Sequence, residues 1–309
     1  MKLNGFRIEP GEIEKVLDRL EHVEQSVVKL AETDDGQKYL AAYVVRGDEK
    51  RGDTAAADAD VGTWGAVWDA AYKVQQEAGA AQGTGYTSTL TGQAIPDEAV
   101  SAWAEVTADR VMRFQPESVL DVGCGVELLG ENLLRRDVER YRGCDLSATA
   151  VKTAKERLER MFGPSSRWDA ACLSADQIHP GRLGTFDVVL LNSVVQYFPD
   201  RAYLARVLEQ AVACCGSNGR VVVGDVPAAS MKDLIAVTTF AFGEEEAAGE
   251  EDIERRARAI GAGELWLDPG DFYALAAEVD RACAVEADLR LGEGEEEMTR
   301  YRYDVILAS

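Results

Sequence analysis

The feature that most constrains this chain is a regular alternation of strand and helix candidates between residues 118 and 226. The strand candidates are SVLDV, YRGCDL, FDVVLLN and RVVVGDV, with a weaker one around WDAACLS. Helical segments such as ATAVKTAKERLERMF and AYLARVLEQAVACC separate them. Because helices that connect parallel strands cover both faces of the sheet, this alternation predicts an α/β fold with an open parallel sheet.

The C-terminal tail follows a different pattern. The strand candidates CAVEADLRL and TRYRYDVILA are joined only by a short stretch rich in glycine and glutamate, which predicts an antiparallel pair. With the five strands before them they make a seven-stranded, Rossmann-like sheet whose last strand is antiparallel. That architecture is typical of class I methyltransferases.

The 309 residues are enough for one large and one small folded unit. Residues 1–45 carry a helical pattern from about Gly11 and the strand candidates SVVKLAE and YLAAYVV, which predict a small α+β unit. Residues 46–62 contain almost no large apolar side chain and predict a solvated linker. Residues 63–309 form the larger domain, which begins with a mostly helical lid region up to about Arg113.

The composition excludes several classes of function. A formal net charge of −22 and the lack of a Lys/Arg stripe argue against binding nucleic acid. No run approaches the roughly 18 apolar residues of a membrane span, and the N-terminus has no apolar signal core, so we expect a soluble cytoplasmic protein without membrane contact. Six cysteines without a C-x-x-C pair and only two histidines, His22 and His179, argue against a metal site and a histidine-based triad.

The segment SVLDVGCGVELL is a strand that runs through a glycine turn into a helix. Gly123 and Gly125 let the backbone approach a ligand at the carboxyl end of the strand, beside the amides of the helix N-terminus. Leu128 stands where a nicotinamide-type G-x-G-x-x-G motif needs a third glycine, which disfavours that class of cofactor. The candidate cofactor site therefore includes Asp121, Gly123, Cys124 and Gly125.

Two carboxylates follow the next two strand candidates. Asp145 can accept hydrogen bonds from two ribose hydroxyls, or it can cap the following helix. Asp176 can accept from an adenine amino group, or it can serve as a helix cap. The residues alone leave both alternatives open. With their neighbours Leu146 and Ala175, these carboxylates complete the predicted nucleoside part of the cofactor site.

A polar cluster follows the fourth strand candidate. The segment FDVVLLNSVVQYFPD places Asn192, Gln196 and Tyr197 at the crevice outside the carboxyl ends of the strands, where open α/β sheets bind ligands. The alternative is that these side chains only satisfy buried backbone groups. We predict that all three are catalytic and that Asn192 also contacts the cofactor.

Six stretches within residues 64–308 resemble, in order, the methyltransferase domain embedded in nonribosomal peptide synthetases, most often an N-methyltransferase. The stretches are TGQAIPDEAVSAW, VLDVGCG, FDVVLLNSVVQYFPDRAYLARVLEQAV, NGRVVVGDV, ELWLDPGDFYAL and EMTRYRYDVIL. The resemblance implies S-adenosylmethionine as cofactor, S-adenosylhomocysteine as product, and methylation of the α-amine of an aminoacyl or peptidyl thioester. It also implies a peptidyl carrier protein as partner, which presents this substrate on phosphopantetheine.

Residues 1–45 resemble the start of the C-terminal subdomain of adenylation domains. NGFRIEPGEIE matches the eighth core motif of that family, and LAAYVV matches the strand after it. Methyltransferases that interrupt adenylation domains often follow this strand, so the rest of the adenylation domain and of the synthetase are implied partners. The ninth and tenth core motifs and a lysine in an N-G-K context are missing, so we expect no adenylation activity from this fragment.

The sequence departs from this family near the expected acceptor site. Glu127 stands where the family usually has a third glycine, and Glu296 stands where it commonly has asparagine. The loop GYTSTLTG replaces the usual G-W-N-S-S-Y-T-G, with agreement at Ser88 and Thr91. The predicted substrate-binding residues are Tyr86, Ser88, Thr91 and Tyr197.

Methyl transfer from a sulfonium is an in-line displacement, so its main requirement is the positioning of the nucleophile. An α-amine, with a reference pKa of about 7.7–8.0, is already partly neutral near neutral pH, whereas a serine hydroxyl needs a base. No histidine is suitably placed to act as a base, so the candidate bases are Glu127, Asp225 and a tyrosine. This small set of bases favours an amine acceptor over a hydroxyl. The alternatives are side-chain O-, S- or C-methylation, a degenerate domain that only binds cofactor, and a pure interaction module.

Overall fold

The computed structural model describes the strand backbones at 2–3, 6–7, 23–32 and 38–46, and residues 65, 68–70, 72–73, 88, 94–126, 128–242, 260, 264–279, 284–290 and 301–308. The chain divides into two compact units, Met1–Trp64 and Gly65–Ser309. Within the described residues, no helix is both long enough and apolar enough to span a bilayer.

The first unit contains two antiparallel strand pairs among its described residues. They are β1 (Lys2–Leu3) with β2 (Phe6–Arg7), and β3 (Val23–Glu32) with β4 (Lys38–Arg46). The strands predicted from SVVKLAE and YLAAYVV are therefore confirmed and are slightly longer than predicted. The helix predicted from about Gly11 and most of the predicted linker lie outside the described residues.

The second unit is built on one seven-stranded sheet. Its strands are β5 (Ser118–Val122), β6 (Arg140–Asp145), β7 (Trp168–Cys172), β8 (Phe186–Asn192), β9 (Cys215–Pro227), β10 (Ala284–Leu289) and β11 (Arg302–Ala308). Their order across the sheet is β10-β11-β9-β8-β5-β6-β7. β5 to β9 are parallel, and β11 runs antiparallel to both of its neighbours. The predicted sheet with an antiparallel last strand is confirmed, and β11 lies one place in from the edge, between β9 and β10.

The structure gives the bounds of seven α-helices in this unit. They are α1 (Asp97–Met112), α2 (Leu128–Arg135), α3 (Ala148–Phe162), α4 (Pro180–Leu183), α5 (Arg201–Ala213), α6 (Lys232–Phe242) and α7 (Pro269–Glu278). α3 coincides with the predicted segment because Ser147 Oγ accepts from the Ala150 amide at its start, and Gly163, with a φ of 71°, ends it. The sequence pattern does not predict α6 or α7.

The central strand β8 explains why its sequence is a continuous apolar run. Val188, Val189, Leu190 and Leu191 are fully buried, as expected of a parallel strand that is covered on both faces. The same core holds β5, α1 and α2 together through apolar side chains. This packed sheet fixes the segments that follow β5, β6 and β8 at one edge, where the predicted site residues lie.

One carboxylate is buried inside this core. The Tyr141 hydroxyl donates to Asp121 Oδ2 at 2.7 Å, and Asp121 is only 2% exposed. Loss of hydration on burial raises the pKa of Asp121 from 3.8 to about 7, although the hydrogen bond from Tyr141 opposes the rise. Asp121 therefore has a structural partner, and its contact with a cofactor stays a prediction.

The variant Asp121→Asn tests this burial. The native state holds the Asp121 proton to a higher pH than the unfolded state, so the free energy of unfolding should fall as the pH rises from about 4 to about 7. Asparagine does not titrate, so the variant should gain about 2 kcal/mol relative to the wild type between pH 5 and pH 8, measured by urea denaturation. Asp169→Asn, at an exposed carboxylate on β7, is the control and should show no such trend. A difference for Asp121→Asn that is constant with pH would contradict the raised pKa.

Candidate active site

The turn after β5 requires glycine at two positions. Gly123 has a φ of 78°, and a Cβ added there would lie 2.6 Å from Val194 Cγ2. Gly125 has a φ of 56°, in the same left-handed region. The amides of Gly123 and Cys124 both donate to the Cys144 carbonyl, at 2.7 and 3.0 Å. The turn is thereby tied to the end of β6, and the side chains of Val194 and Tyr72 approach it closely at the two glycines.

Asp145 at the end of β6 holds this turn from the other side. Its Oδ2 accepts from the Gly125 amide at 3.0 Å, and its Oδ1 accepts from the Ser147 amide at 2.8 Å. Burial raises the pKa of Asp145, while these bonds and one from the Leu146 amide oppose the rise. Ser147, not Asp145, caps α3, so the helix-cap alternative does not describe its role. A carboxylate has about four lone-pair sites, which leaves capacity for ligand hydroxyls.

Asp176 lies in the 3₁₀ turn Ala175–Gln177, next to the end of β7. Its Oδ1 accepts from the Tyr203 hydroxyl at 3.0 Å, and burial and this carboxylate raise the pKa of Tyr203. Ser174 occupies the N-cap position of the turn, so Asp176 is not its cap. Ala175, Asp176 and Leu146 are all half-buried, and no structural contact assigns them to a ligand.

Asn192, Gln196 and Tyr197 lie together after β8, as the sequence predicts. Asn192 is 5% exposed and its Oδ1 lies 3.4 Å from Arg290 Nη2. Asn192 Nδ2 and Gln196 Oε1 are both buried without a hydrogen-bond partner in the described part of the chain. Burial raises the pKa of Tyr197, and a hydrogen bond from the Gln196 side chain opposes the rise. Buried polar atoms without partners are uncommon in proteins and indicate a place for a ligand or water.

A helical segment before the Gly/Thr/Ser-rich loop lies over this edge of the sheet. We call it the lid segment; its described residues are Gly65, Trp68, Asp69, Ala70, Tyr72 and Lys73. The rings of Trp68 and Tyr197 pack edge to face with their centroids 4.8 Å apart. Tyr72 Oη lies 3.1 Å from the point where a Cβ on Gly125 would be. The lid segment therefore contacts both the glycine turn and the predicted catalytic cluster.

Asp69 fixes the lid segment to the start of α3. Its Oδ1 accepts from Ser147 Oγ at 2.6 Å and from the Thr149 amide at 2.9 Å. The bond from Ser147 lowers the pKa of Asp69 most, and the amide of Thr149 adds to the effect. A carboxylate at the N-terminus of a helix is also favoured by the helix dipole.

A buried charge network lies beneath Asn192. Arg290 is 5% exposed; its Nη1 donates to Asp225 Oδ1 at 3.1 Å and its Nε to Asp304 Oδ1 at 2.9 Å. Arg302 donates to Asp225 Oδ2 at 3.0 Å, and Arg110 Nε lies 2.8 Å from Asp304 Oδ2. Ser193 Oγ also donates to Asp225. Asp225, one of the candidate bases, is therefore held by two guanidinium groups, and this pairing disfavours a role as a base.

Some predicted residues lie outside the described part of the chain. Tyr86, Thr91 and Glu127 are among them, and Ser88 is described and half-buried. Their roles remain predictions. Across the described residues, no group of three or more His, Cys, Asp and Glu side chains is arranged to hold a metal ion.

The lid contacts and the charge network are not predicted from the sequence. Trp68 and Tyr72 are four residues apart, the spacing that places two aromatic rings on one helix face, and this signal was available. Asp69 and Arg290 had no such signal. Arg290 meets Asp225 and Asn192 only through strand pairing between distant parts of the sequence.

Comparison with known proteins agrees with this geometry. Residues 120–221 match the family model described as a methyltransferase domain. The chain is 34% identical to a probable non-canonical nonribosomal peptide synthetase, CymA, of Salinispora arenicola, over 99% of this chain and 4% of that protein. It is 30% identical to chondramide synthase cmdD of Chondromyces crocatus, over 99% of this chain and 8% of that protein. The chain thus spans only a small part of the length of these relatives.

Among solved structures, the magnesium protoporphyrin IX methyltransferase (ChlM) from Synechocystis PCC 6803 with bound SAH aligns with a TM-score of 0.52 at 10% identity. The alignment covers 79% of this chain and 97% of that chain. The second unit therefore has the class I S-adenosylmethionine-dependent methyltransferase fold. Over nearly its whole length, the chain is similar to segments of nonribosomal peptide synthetases, and residues 120–221 match a methyltransferase domain.

Three glycine variants test the geometry of the turn. Gly123→Ala combines a positive φ with a contact at 2.6 Å and should lower the free energy of unfolding by about 2–4 kcal/mol. Gly163→Ala has a φ of 71° but open space around its Cβ, and should cost about 1 kcal/mol. Gly270→Ala, near the start of α7 and without contacts, should be neutral or stabilising. Equal effects of Gly123→Ala and Gly270→Ala in urea denaturation would contradict the turn geometry.

Proposed function

We propose that the second unit is an S-adenosylmethionine-dependent methyltransferase that methylates the α-amine of an aminoacyl or peptidyl thioester during nonribosomal peptide synthesis. The observation that carries the proposal is the arrangement at the carboxyl edge of the sheet. A glycine turn bound to Asp145 lies beside a buried cluster with two unpartnered polar atoms. The similarity to synthetase segments supports the biosynthetic setting, and the resemblance to N-methyltransferases supports the amine acceptor.

The residues at this edge fit S-adenosylmethionine. The backbone at Gly123, Cys124 and Gly125 would hold the methionyl part, and the two glycines keep a Cβ out of this turn. Asp145 keeps lone pairs for the two ribose hydroxyls, and Asp176 keeps one carboxylate oxygen for the adenine amino group. Leu146 and Ala175 complete the proposed nucleoside part of the site. The cofactor would supply a methyl group on a sulfonium.

On this proposal, the protein accelerates transfer mainly by holding the amine in line with the methyl group. The α-amine needs no strong base, since its reference pKa of about 7.7–8.0 leaves part of it neutral. This matters because Asp225, one of the candidate bases, is tied to Arg290 and Arg302. Asn192, Gln196 and Tyr197 position the acceptor, and Tyr86, Ser88 and Thr91 are the further proposed substrate-binding residues.

The proposed partners follow from the same substrate. An aminoacyl thioester of this kind is carried on the phosphopantetheine arm of a peptidyl carrier protein, and the relatives are large synthetases. The resemblance of residues 1–45 to an adenylation subdomain supports a setting within an interrupted adenylation domain. We expect this fragment alone to have no adenylation activity.

Cofactor binding is tested by thermal unfolding. A ligand that binds only the folded state stabilises it by about 2.7 kcal/mol at a hundredfold excess over its Kd, so S-adenosylhomocysteine should raise the Tm of the wild type. Asp145→Ala should lose most of this rise because it removes the acceptor for the ribose and frees the Gly125 amide. Asp169→Ala, an exposed carboxylate on β7, should keep it. An unchanged wild-type Tm at millimolar ligand would refute the cofactor assignment.

The acceptor is tested by locating the methyl group. The chain is incubated with a panel of aminoacyl carrier proteins and labelled S-adenosylmethionine, and mass spectrometry should find the label on the α-nitrogen. Tyr197→Phe should lower kcat while the affinity for S-adenosylhomocysteine stays nearly unchanged, because the hydroxyl positions the acceptor. Label on a side-chain oxygen, sulfur or carbon with a free α-amine would refute the amine assignment. Cofactor binding without any transfer would instead favour a degenerate domain.

A further inference from the structure

The orientation of the Asn192 amide is set by its neighbour. Arg290 Nη2 lies 3.4 Å from one end of this amide and 2.7 Å from Thr107 Oγ1. A guanidinium has five N–H donors and no acceptor, so the end of the amide that faces it has to be the oxygen. The nitrogen therefore faces away from Arg290, whichever way an amide is first assigned.

Arg290 itself has no freedom to turn. It bridges Asp225 and Asp304, and its guanidinium also lies 5.8 Å from the centre of the Trp103 ring. Gly224 packs against the same end of the amide, since a Cβ there would lie 2.3 Å from Asn192 Oδ1. The amide is thus enclosed by a fixed cation and a glycine backbone, and its Nδ2 is buried without a partner in the described residues.

An unpartnered buried donor is satisfied when an acceptor atom of a bound reactant or a water reaches it. The nucleophilic amine is unsuitable, because a hydrogen bond to its lone pair would occupy the electrons that attack the methyl group. Among the other acceptors of the proposed reactants are the thioester carbonyl of the substrate and the carboxylate, ribose and adenine of the cofactor. The carbonyl is two bonds from the α-nitrogen, so a donor that holds it also places the nitrogen.

We propose that Arg290 is a positioning residue that fixes Asn192 as a hydrogen-bond donor to the carbonyl oxygen of the aminoacyl thioester. This inference rests on the proposed function and names how that site recognises its substrate. Asn192 then donates its hydrogen bond to the acyl group of the substrate rather than to the amine. Arg290, which follows β10, acts on the substrate only through Asn192.

The test is a double-mutant cycle between protein and substrate. The substrate is the aminoacyl pantetheine thioester that the wild type methylates best, and its analogue has CH₂ in place of the carbonyl. Asn192→Asp keeps the oxygen toward Arg290 and removes the donor. It should lower kcat/KM about 10- to 100-fold on the thioester and less than about threefold on the analogue. The different basicity of the analogue amine cancels, because both proteins are measured with both substrates.

Equal losses on thioester and analogue would overturn the proposal. A tenfold loss of affinity for S-adenosylhomocysteine in Asn192→Asp would also overturn it, because the oxygen would then belong to the cofactor. Where turnover is too slow, the Kd of each substrate in saturating S-adenosylhomocysteine replaces kcat/KM in the same cycle. A methyl group found on a side chain, with the carbonyl dependence intact, would refute the α-amine as acceptor and support the contact between Asn192 and the carbonyl.

The role of Arg290 is tested by two further variants. Arg290→Lys cannot bridge Asp225 and Asp304 and also reach Asn192, so it should lose activity on the thioester but not on the analogue. Arg113→Lys, at an exposed arginine paired with Asp288, is the control and should lose neither. Activity of Arg290→Lys equal to that of the wild type would overturn the positioning role.

Gly224→Ala keeps the test decisive if Arg290→Lys does not fold. Its Cβ would displace Asn192 Oδ1 from Arg290 while the ion pairs of Arg290 stay intact. We expect it to reproduce the loss on the thioester in the wild-type background and to have no further effect in an Asn192→Ala background. An equal loss in both backgrounds would show that Gly224→Ala acts elsewhere and would overturn the proposed orientation.

Discussion

The ion pairs of Arg290 with Asp225 and Asp304 are the interaction on which the acceptor side of the site depends. Removing one partner of a buried pair leaves an uncompensated charge, which typically costs about 3–5 kcal/mol. The pairs also join elements that are distant in the sequence, since Arg290 follows β10, Asp225 lies in β9 and Asp304 lies in β11. The antiparallel tail is therefore part of the site and not only an extension of the sheet.

The nucleoside side of the site depends on backbone geometry. Two glycines with positive φ shape the turn after β5, and Asp145 fixes it by accepting from the Gly125 amide. The lid segment adds a second connection, because Asp69 binds Ser147 and Thr149 directly after Asp145. The two sides meet at the end of β8, where Val194 packs against Gly123 and Asn192 faces Arg290.

The parts of this structure that could be predicted are those with short-range signals. The apolar runs of β5 and β8 and the capped helix α3 follow from periodicity and local hydrogen bonding, and the glycine turn follows from spacing. The charge network could not be predicted in this way. From the sequence, Asp225 is a candidate base, because its neighbours in the chain do not indicate Arg290 or Arg302. These two arginines reach Asp225 through the pairing of β9 with β11 and of β11 with β10. Among the described residues near Asn192, it is the partners that decide the role of each carboxylate.

These pairings also bear on how methyl transfer would proceed. The positive charge starts on sulfur and ends on nitrogen, so the transition state carries the same net charge spread over more atoms. Such a reaction needs no new counter-charge in the site, and a nearby free carboxylate would favour the protonated, unreactive amine. Asp225 and Asp304 are paired with Arg290, Arg302 and Arg110, so neither of these two carboxylates is a free charge beside Asn192. Holding these charges in fixed pairs suits a reaction in which placing the nucleophile is the main task.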